Sequence, residues 1–246
     1  MTDFERYSSN FIQLYTDEVP QGLSGIFHGA MPGFSVLDLG CGDGALLIGL
    51  HNKGYLKNAG RIVGVDLSSQ RINRLKHNFA FELICADACN VVQLEDKTFD
   101  YIFSSQVIEH VLDDKAFLRE IHRLIKDSGI LFISSIVKRK YGWYVHRCNK
   151  KWALDPTHLR EYSSEQEFIT LIESARFKVV NLRMTSYKFT PMDFIIRRLY
   201  FPIFRHETTN SFFLRHKLLS KFRLLRIPVF GYYIIDLVAK TSSRPK

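Results

Sequence analysis

The run Val36-Leu-Asp-Leu-Gly-Cys-Gly-Asp-Gly44 constrains this chain more than any other stretch. A short apolar strand carries an acid near its end, three glycines follow at alternate positions, and an apolar helix, Ala45 to His51, begins at once. A strand that stops at glycines before a helix lets bare backbone approach a ligand at the helix N-terminus. That arrangement belongs to α/β sheets that bind ligands beyond the carboxyl ends of their strands.

The remaining pattern extends the sheet. Strands are predicted at Arg61–Asp66, Phe81–Ala86, Phe99–Ser104, Ile130–Val137, Phe177–Thr185 and Gly231–Ala239, which with 35–39 makes seven. Ser68 or Ser69 can cap a helix running to about Phe79. Ala116–Ile125 is amphipathic and is stopped by Asp127-Ser-Gly129. Ser164 with Glu167 predicts a capping box for a helix to about Ala175. Phe4, Tyr7, Phe11, Leu14 and Tyr15 predict a leading helix and turn within 1–31, and 138–162 reads as a long loop or short helices. The expected fold is α/β: a Rossmann-like, doubly wound seven-stranded sheet, mostly parallel with the last strand antiparallel. A single domain spans 1–246, with its core at 31–187 and 229–241 and an inserted segment, 188–228, before the last strand.

Composition adds the setting. Hydrophobic residues make up 46% and charged residues 24%, so a core can form without disulfides or structural metal. The four cysteines are unevenly spread, as reduced thiols would be, and the first residues carry acids and no apolar run. No stretch approaches the roughly 20 apolar residues of a membrane-spanning helix. These features predict a soluble, cytoplasmic protein.

The net charge of +9 is localised. Residues 188–246 hold 12 Lys and Arg against 3 acids, whereas 1–187 hold 22 of each. Within 188–228, nine cations and two acids are interleaved with Phe, Leu, Ile and Tyr. Such a segment reads as basic and helical, in one of three roles: a lid over an acceptor pocket, an element lying in a membrane interface, or a nucleic-acid surface. The second would place the protein peripherally on the inner membrane face.

Three acids close successive strands: Asp38, Asp66 and Asp87. Gly40-x-Gly42-x-x-Ala45 also satisfies a dinucleotide fingerprint. That fingerprint includes neither Asp38, nor Asp87, nor Phe99-Asp-Tyr-Ile-Phe-Ser-Ser-Gln-Val-Ile-Glu-His110. Together these motifs resemble the class I S-adenosylmethionine-dependent methyltransferases, particularly those that methylate small molecules, quinones and glycans. The resemblance covers 31–137 well, and 177–185 and 231–241 more loosely. It implies that Asp38, Gly40 and Gly42 line the methionine end of the cofactor. Asp66 would hold the ribose, Leu67 pack on the adenine, Asp87 and Ala88 read its edge, and Gln106 approach the sulfonium. It implies O-methylation, before N- or C-methylation, of a small-molecule, sugar or lipid-linked acceptor. An RNA methyltransferase and a non-catalytic cofactor-binding scaffold at a membrane are the alternatives.

A hydroxyl acceptor needs its proton removed, and His158 and His110 are the candidates, His158 first. Each could equally be a packing or network residue. In some resembling quinone O-methyltransferases an acid-x-x-acid-His run binds a divalent metal. Here Gln106 replaces the first acid, and no metal site is expected; Cys85 and Cys89 lack matching partners for zinc.

Overall fold

The structure, a computed structural model, describes residues 18–76, 81–144, 146–148, 151–191, 195 and 225–242. The aromatic residues of the expected leading helix, and 192–194 and 196–224 of the insertion, lie outside the described residues; Pro191 and Ile195 are helical. Within them, β1 (Phe34–Leu39), β2 (Ala59–Asp66), β3 (Glu82–Cys85), β4 (Phe99–Ser105), β5 (Ile125–Lys138), β8 (Phe177–Phe189) and β9 (Ile227–Thr241) form one sheet in the order β3-β2-β1-β4-β5-β9-β8. Pairing is parallel from β3 through β5, and β9 runs antiparallel to both β5 and β8. The sheet matches the expected class, including the antiparallel last strand.

Apolar runs explain the elements. All six residues of β1 are buried, because the strand is central and covered on both faces. On one face lie α1 (Gln21–Gly25), α2 (Ala45–Asn52) and α3 (Ser69–Lys76), contributing Leu23, Leu47, Ile48, Ile72 and Leu75. On the other lie α4 (Asp114–Leu124) and α5 (Glu165–Ser174), contributing Phe117, Leu118, Ile121, Phe168 and Ile172. Asp113 caps α4 by accepting from the Ala116 N–H at 2.9 Å.

Several expectations shift in detail. β5 begins at Ile125, and its register against β4 breaks before the Tyr101–Ile130 pair, so the polar 127–129 turn is an irregularity within the strand. The region 138–162 contains a small hairpin, β6 (His146–Cys148) with β7 (Lys151–Ala153). Ser164 caps α5 as expected, but the Glu167 carboxylate reaches back to Ser163, accepting from its N–H at 2.7 Å and its hydroxyl at 2.5 Å. Strands β8 and β9 extend to Phe189 and Ile227, so the insertion is shorter at both ends than 188–228. Among the described residues, no helix is long and apolar enough to cross a membrane.

Strand order reverses between β1 and β4, which places a crevice at the carboxyl ends of these two neighbours. The glycine turn follows one strand and Gln106 follows the other.

Candidate active site

The glycine turn fits against the loop after β4. Gly40 has φ +89°, and a Cβ there would lie 2.3 Å from Val107 Cγ2. Both the backbone region and the contact therefore require glycine. We expect Gly40→Ala to lower stability by about 1–3 kcal/mol and cofactor affinity by at least about 10-fold, read by thermal melting and calorimetry.

Asp66 ties the turn to the end of β2. Its carboxylate accepts from the Gly42 N–H at 2.9 Å and from the Ser68 N–H at 2.8 Å. Asp38 lies behind it, 2% exposed. Burial raises the carboxyl pKa of both, and the proximity of Asp66 raises Asp38 further. Two buried, mutually repelling carboxylates at one crevice favour a ligand that brings positive charge and hydroxyl donors. Asp43, within the turn, is held by Arg74 of α3 at 2.7 Å, a pair that clamps the glycine turn to the next helix. The sequence reading assigned no role to that pair.

The adenine-side residues lie one strand further out. Leu67 is 55% exposed and leaves an apolar surface uncovered at the edge. Asp87 is exposed and accepts from the Cys89 N–H at 2.8 Å, which shapes the turn that buries Ala88. Gln106 has φ +57°, a conformation unusual outside glycine, and its side-chain amide donates to Ser134 Oγ at 3.2 Å. The fold thus brings Asp38, Gly40, Gly42 and Asp66 directly together, with Gln106 opposite and Leu67, Asp87 and Ala88 flanking.

Below Gln106 lies a titratable cluster. Glu109 is fully buried; Oε2 accepts from Ser135 Oγ at 2.9 Å, and Oε1 has no hydrogen-bond partner. The rings of His110 and His158 meet edge to face with centroids 4.8 Å apart. Glu109, His110 and His158 each bring one donor atom within 4.8 Å of the others. Such a spacing suits either shared protons or a bridging cation. Gln106 is turned to Ser134 and is not in the group.

Hydrogen bonds fix the imidazole orientations. Thr157 Oγ1 donates to Asp155 Oδ1 at 2.6 Å, so His110 Nδ1, 3.0 Å away, must be the donor to Thr157. That leaves His110 Nε2 with a lone pair. His158 Nδ1 lies 3.0 Å from Glu161 Oε1, which also accepts from the Leu154 N–H at 2.7 Å. Burial pushes the His110 pKa down to about 4, with His158 adding to the effect, so His110 is neutral near pH 7. Burial pushes Glu109 up to about 7. Burial also works against a charged His158, but its bond to Glu161 and the charges of Glu109 and Asp155 outweigh it and raise its pKa. The sequence named His110 and His158 as candidate bases; Glu109 stood beside His110 as the second acid of the run whose first acid Gln106 replaces, and Glu161 had no assigned role.

Comparisons with known proteins agree with this geometry. Residues 37–133 match the family described as "Methyltransferase domain". The ubiquinone biosynthesis O-methyltransferase of Neisseria meningitidis is 30% identical over 125 residues, 48% of this chain and 50% of that protein. The mitochondrial enzyme of the same name from Dictyostelium discoideum is 28% identical over 147 residues, 54% of this chain and 44% of that one. This chain therefore spans about half the length of those relatives. The ubiquinone/menaquinone biosynthesis C-methyltransferase of Campylobacter jejuni is 27% identical over 67% of this chain and 78% of its own length. In fold, phosphoethanolamine N-methyltransferase 2 of Haemonchus contortus, solved with phosphomonomethylethanolamine and S-adenosylhomocysteine, superposes with a TM-score of 0.60 at 19% identity. That match covers 96% of this chain and 56% of the other. The [4+2]-cyclase SpnF gives a TM-score of 0.63 at 19% identity, covering 89% of this chain and 80% of SpnF. Residues 37–133, which carry the glycine turn and the acids ending β1 and β2, are thus similar to the methyltransferase-domain family, and the sheet around them has the fold of S-adenosylmethionine-dependent methyltransferases.

Proposed function

We propose that this protein transfers the methyl group of S-adenosylmethionine to an oxygen of a small, lipid-soluble or lipid-linked acceptor. The observation that carries the oxygen assignment is the Glu109–His110–His158 cluster beside the donor loop. Methyl transfer from a sulfonium is an in-line displacement in which alignment supplies much of the rate. When bound, the cofactor supplies an electrophilic methyl group on a positively charged sulfur. The acceptor oxygen bonds the methyl carbon, the C–S bonding pair stays on sulfur, and the hydroxyl proton must leave to the protein.

His110 is half-buried and neutral, and its Nε2 is free to take that proton. Its depressed pKa makes it a poor final resting place. Glu109, raised to about 7, is matched to neutral pH and serves as the sink, while the Glu161 carboxylate holds the His158 ring in place beside them. Chelator treatment separates the two uses of the cluster: unchanged turnover is expected if it shares protons, and lost turnover would assign it to a bridging cation.

The quinone-biosynthesis names of the relatives favour an apolar acceptor. The basic apolar segment 188–228 supports a peripheral position at the cytoplasmic membrane face, with the segment lying against lipid. The direct test incubates protein and methyl-labelled S-adenosylmethionine with total cell extract and partitions the label. Label in the organic phase is the expected outcome. Label confined to the aqueous phase would redirect the reading to a soluble metabolite, a sugar or RNA.

A further inference from the structure

We propose that the loop 139–143 and the strand tip 225–230 form one surface that docks on the interfacial layer of an anionic lipid bilayer. The inference rests on the lipid-soluble acceptor above and extends the docking from the last residues of the insertion, 225–228, to residues outside it, 139–143 and 229–230. Strand β9 runs beyond its last pair with β5, Lys138–Tyr232, and continues only against β8, where Lys188 faces Pro228 and Phe189 faces Ile227. The result is a two-stranded tip projecting from the same sheet edge as the active site. The loop after β5 is fastened to it. The Arg139 N–H donates to the Gly231 carbonyl at 2.8 Å, and a Cβ on Gly231 would lie 2.4 Å from Gly142 Cα.

On this joined surface large side chains face outward. Tyr141 is 57% exposed, Trp143 56%, Leu225 65%, Ile227 53% and Phe230 73%. Tyr141 packs on Phe230 with ring centroids 5.0 Å apart, and Trp143 on Trp152 at 5.6 Å. Scattered exposed apolar residues need no explanation, but a contiguous group of this kind marks an interaction site. Charge selects the partner. Lys140 and Lys188 are exposed beside the aromatic group, while Lys138 and Arg139 are paired with Glu161 and Glu165. Cations near headgroups with Trp and Tyr at the interface are the pattern of membrane association. Nucleic acid fits less well, because the rings are occupied by one another and Leu225 and Ile227 offer no face for a base.

The chain has two tryptophans, and both lie at this surface, so their emission reports on it directly. The full chain would be titrated with vesicles of phosphatidylcholine alone and of phosphatidylcholine with phosphatidylglycerol. A blue shift, quenching by brominated acyl chains and co-sedimentation, all with the anionic vesicles, are expected. Tyr141→Ser with Phe230→Ser should reduce vesicle retention at least about 10-fold. Cofactor affinity by calorimetry should not change, since both side chains are exposed and neither is among the contacts that shape the glycine turn. Retention equal in the variant, or no shift with either vesicle, would overturn the proposal. So would an emission shift with RNA but not vesicles, or a concentration-dependent dimer abolished by the two substitutions. Vesicle binding is measured without turnover, so docking can stand while label stays aqueous, and organic label can appear while docking fails.

Discussion

Asp66→Ala is expected to weaken S-adenosylmethionine binding about 100-fold, corresponding to about 3 kcal/mol. The Asp66 side chain joins the β1 and β2 ends, through the Gly42 and Ser68 N–H groups. Each carboxylate oxygen keeps a further lone pair for a ribose hydroxyl. Removing the carboxylate therefore loses both the ligand contact and the partner of a backbone donor in the turn. Asp66→Asn keeps one acceptor oxygen and should lose less, with the difference reporting the charge. Because burial raises the carboxyl pKa of Asp66 and Asp38, affinity should fall at higher pH than an exposed carboxylate would produce. The protonated acid loses its charge toward a cationic ligand as pH drops through the raised value. Isothermal calorimetry of wild type and both variants across pH checks each statement. Equal affinity in Asp66→Ala would remove the cofactor assignment.

How much of this was legible depended on the range of the interactions involved. The strands of the main sheet were readable because buried central strands are written as apolar runs, and the glycine turn because its backbone demands particular residues. The β6–β7 hairpin was not, since His146-Arg-Cys148 and Lys151-Trp-Ala153 carry no alternation that distinguishes a strand from a loop. Glu109 was visible as a neighbour of His110, but its complete burial and its bond from Ser135, 26 residues later on β5, are set by the tertiary fold. The role of Glu161 depends on a turn that brings His158, three residues earlier, onto its carboxylate. The exposed surface at 139–143 and 225–230 is built from two segments more than 80 residues apart, so neither stretch announces it. Local backbone chemistry shows in a sequence, whereas clusters assembled across the sheet do not.

Glu109 and His110 should have opposite effects on stability, and separating them exposes a pH signal that each hides in the other. The Glu109 carboxyl, ordinarily near 4.5, is raised to about 7. A raised group favours the folded state at low pH, and its contribution is lost as pH climbs from about 4.5 to about 7, by about 3 kcal/mol. His110, ordinarily near 6.5, is lowered to about 4. Its contribution is present above about 6.5 and is lost as pH falls toward 4, by about the same amount. Between those limits the two slopes oppose each other, so these two groups largely cancel in the wild type. Glu109→Gln keeps the shape but removes the ionisation. It should be more stable than wild type above pH 7 and should lose stability steeply between pH 6.5 and 4. His110→Asn should show the reverse, losing stability as pH rises from 4.5 to 7. Both variants should bind cofactor normally and turn over poorly, because each breaks the proton path at a different atom. Parallel denaturation curves for all three proteins would show that the cluster does not hold protons in this way. The O-methylation reading would then lose the group on which its proton transfer depends.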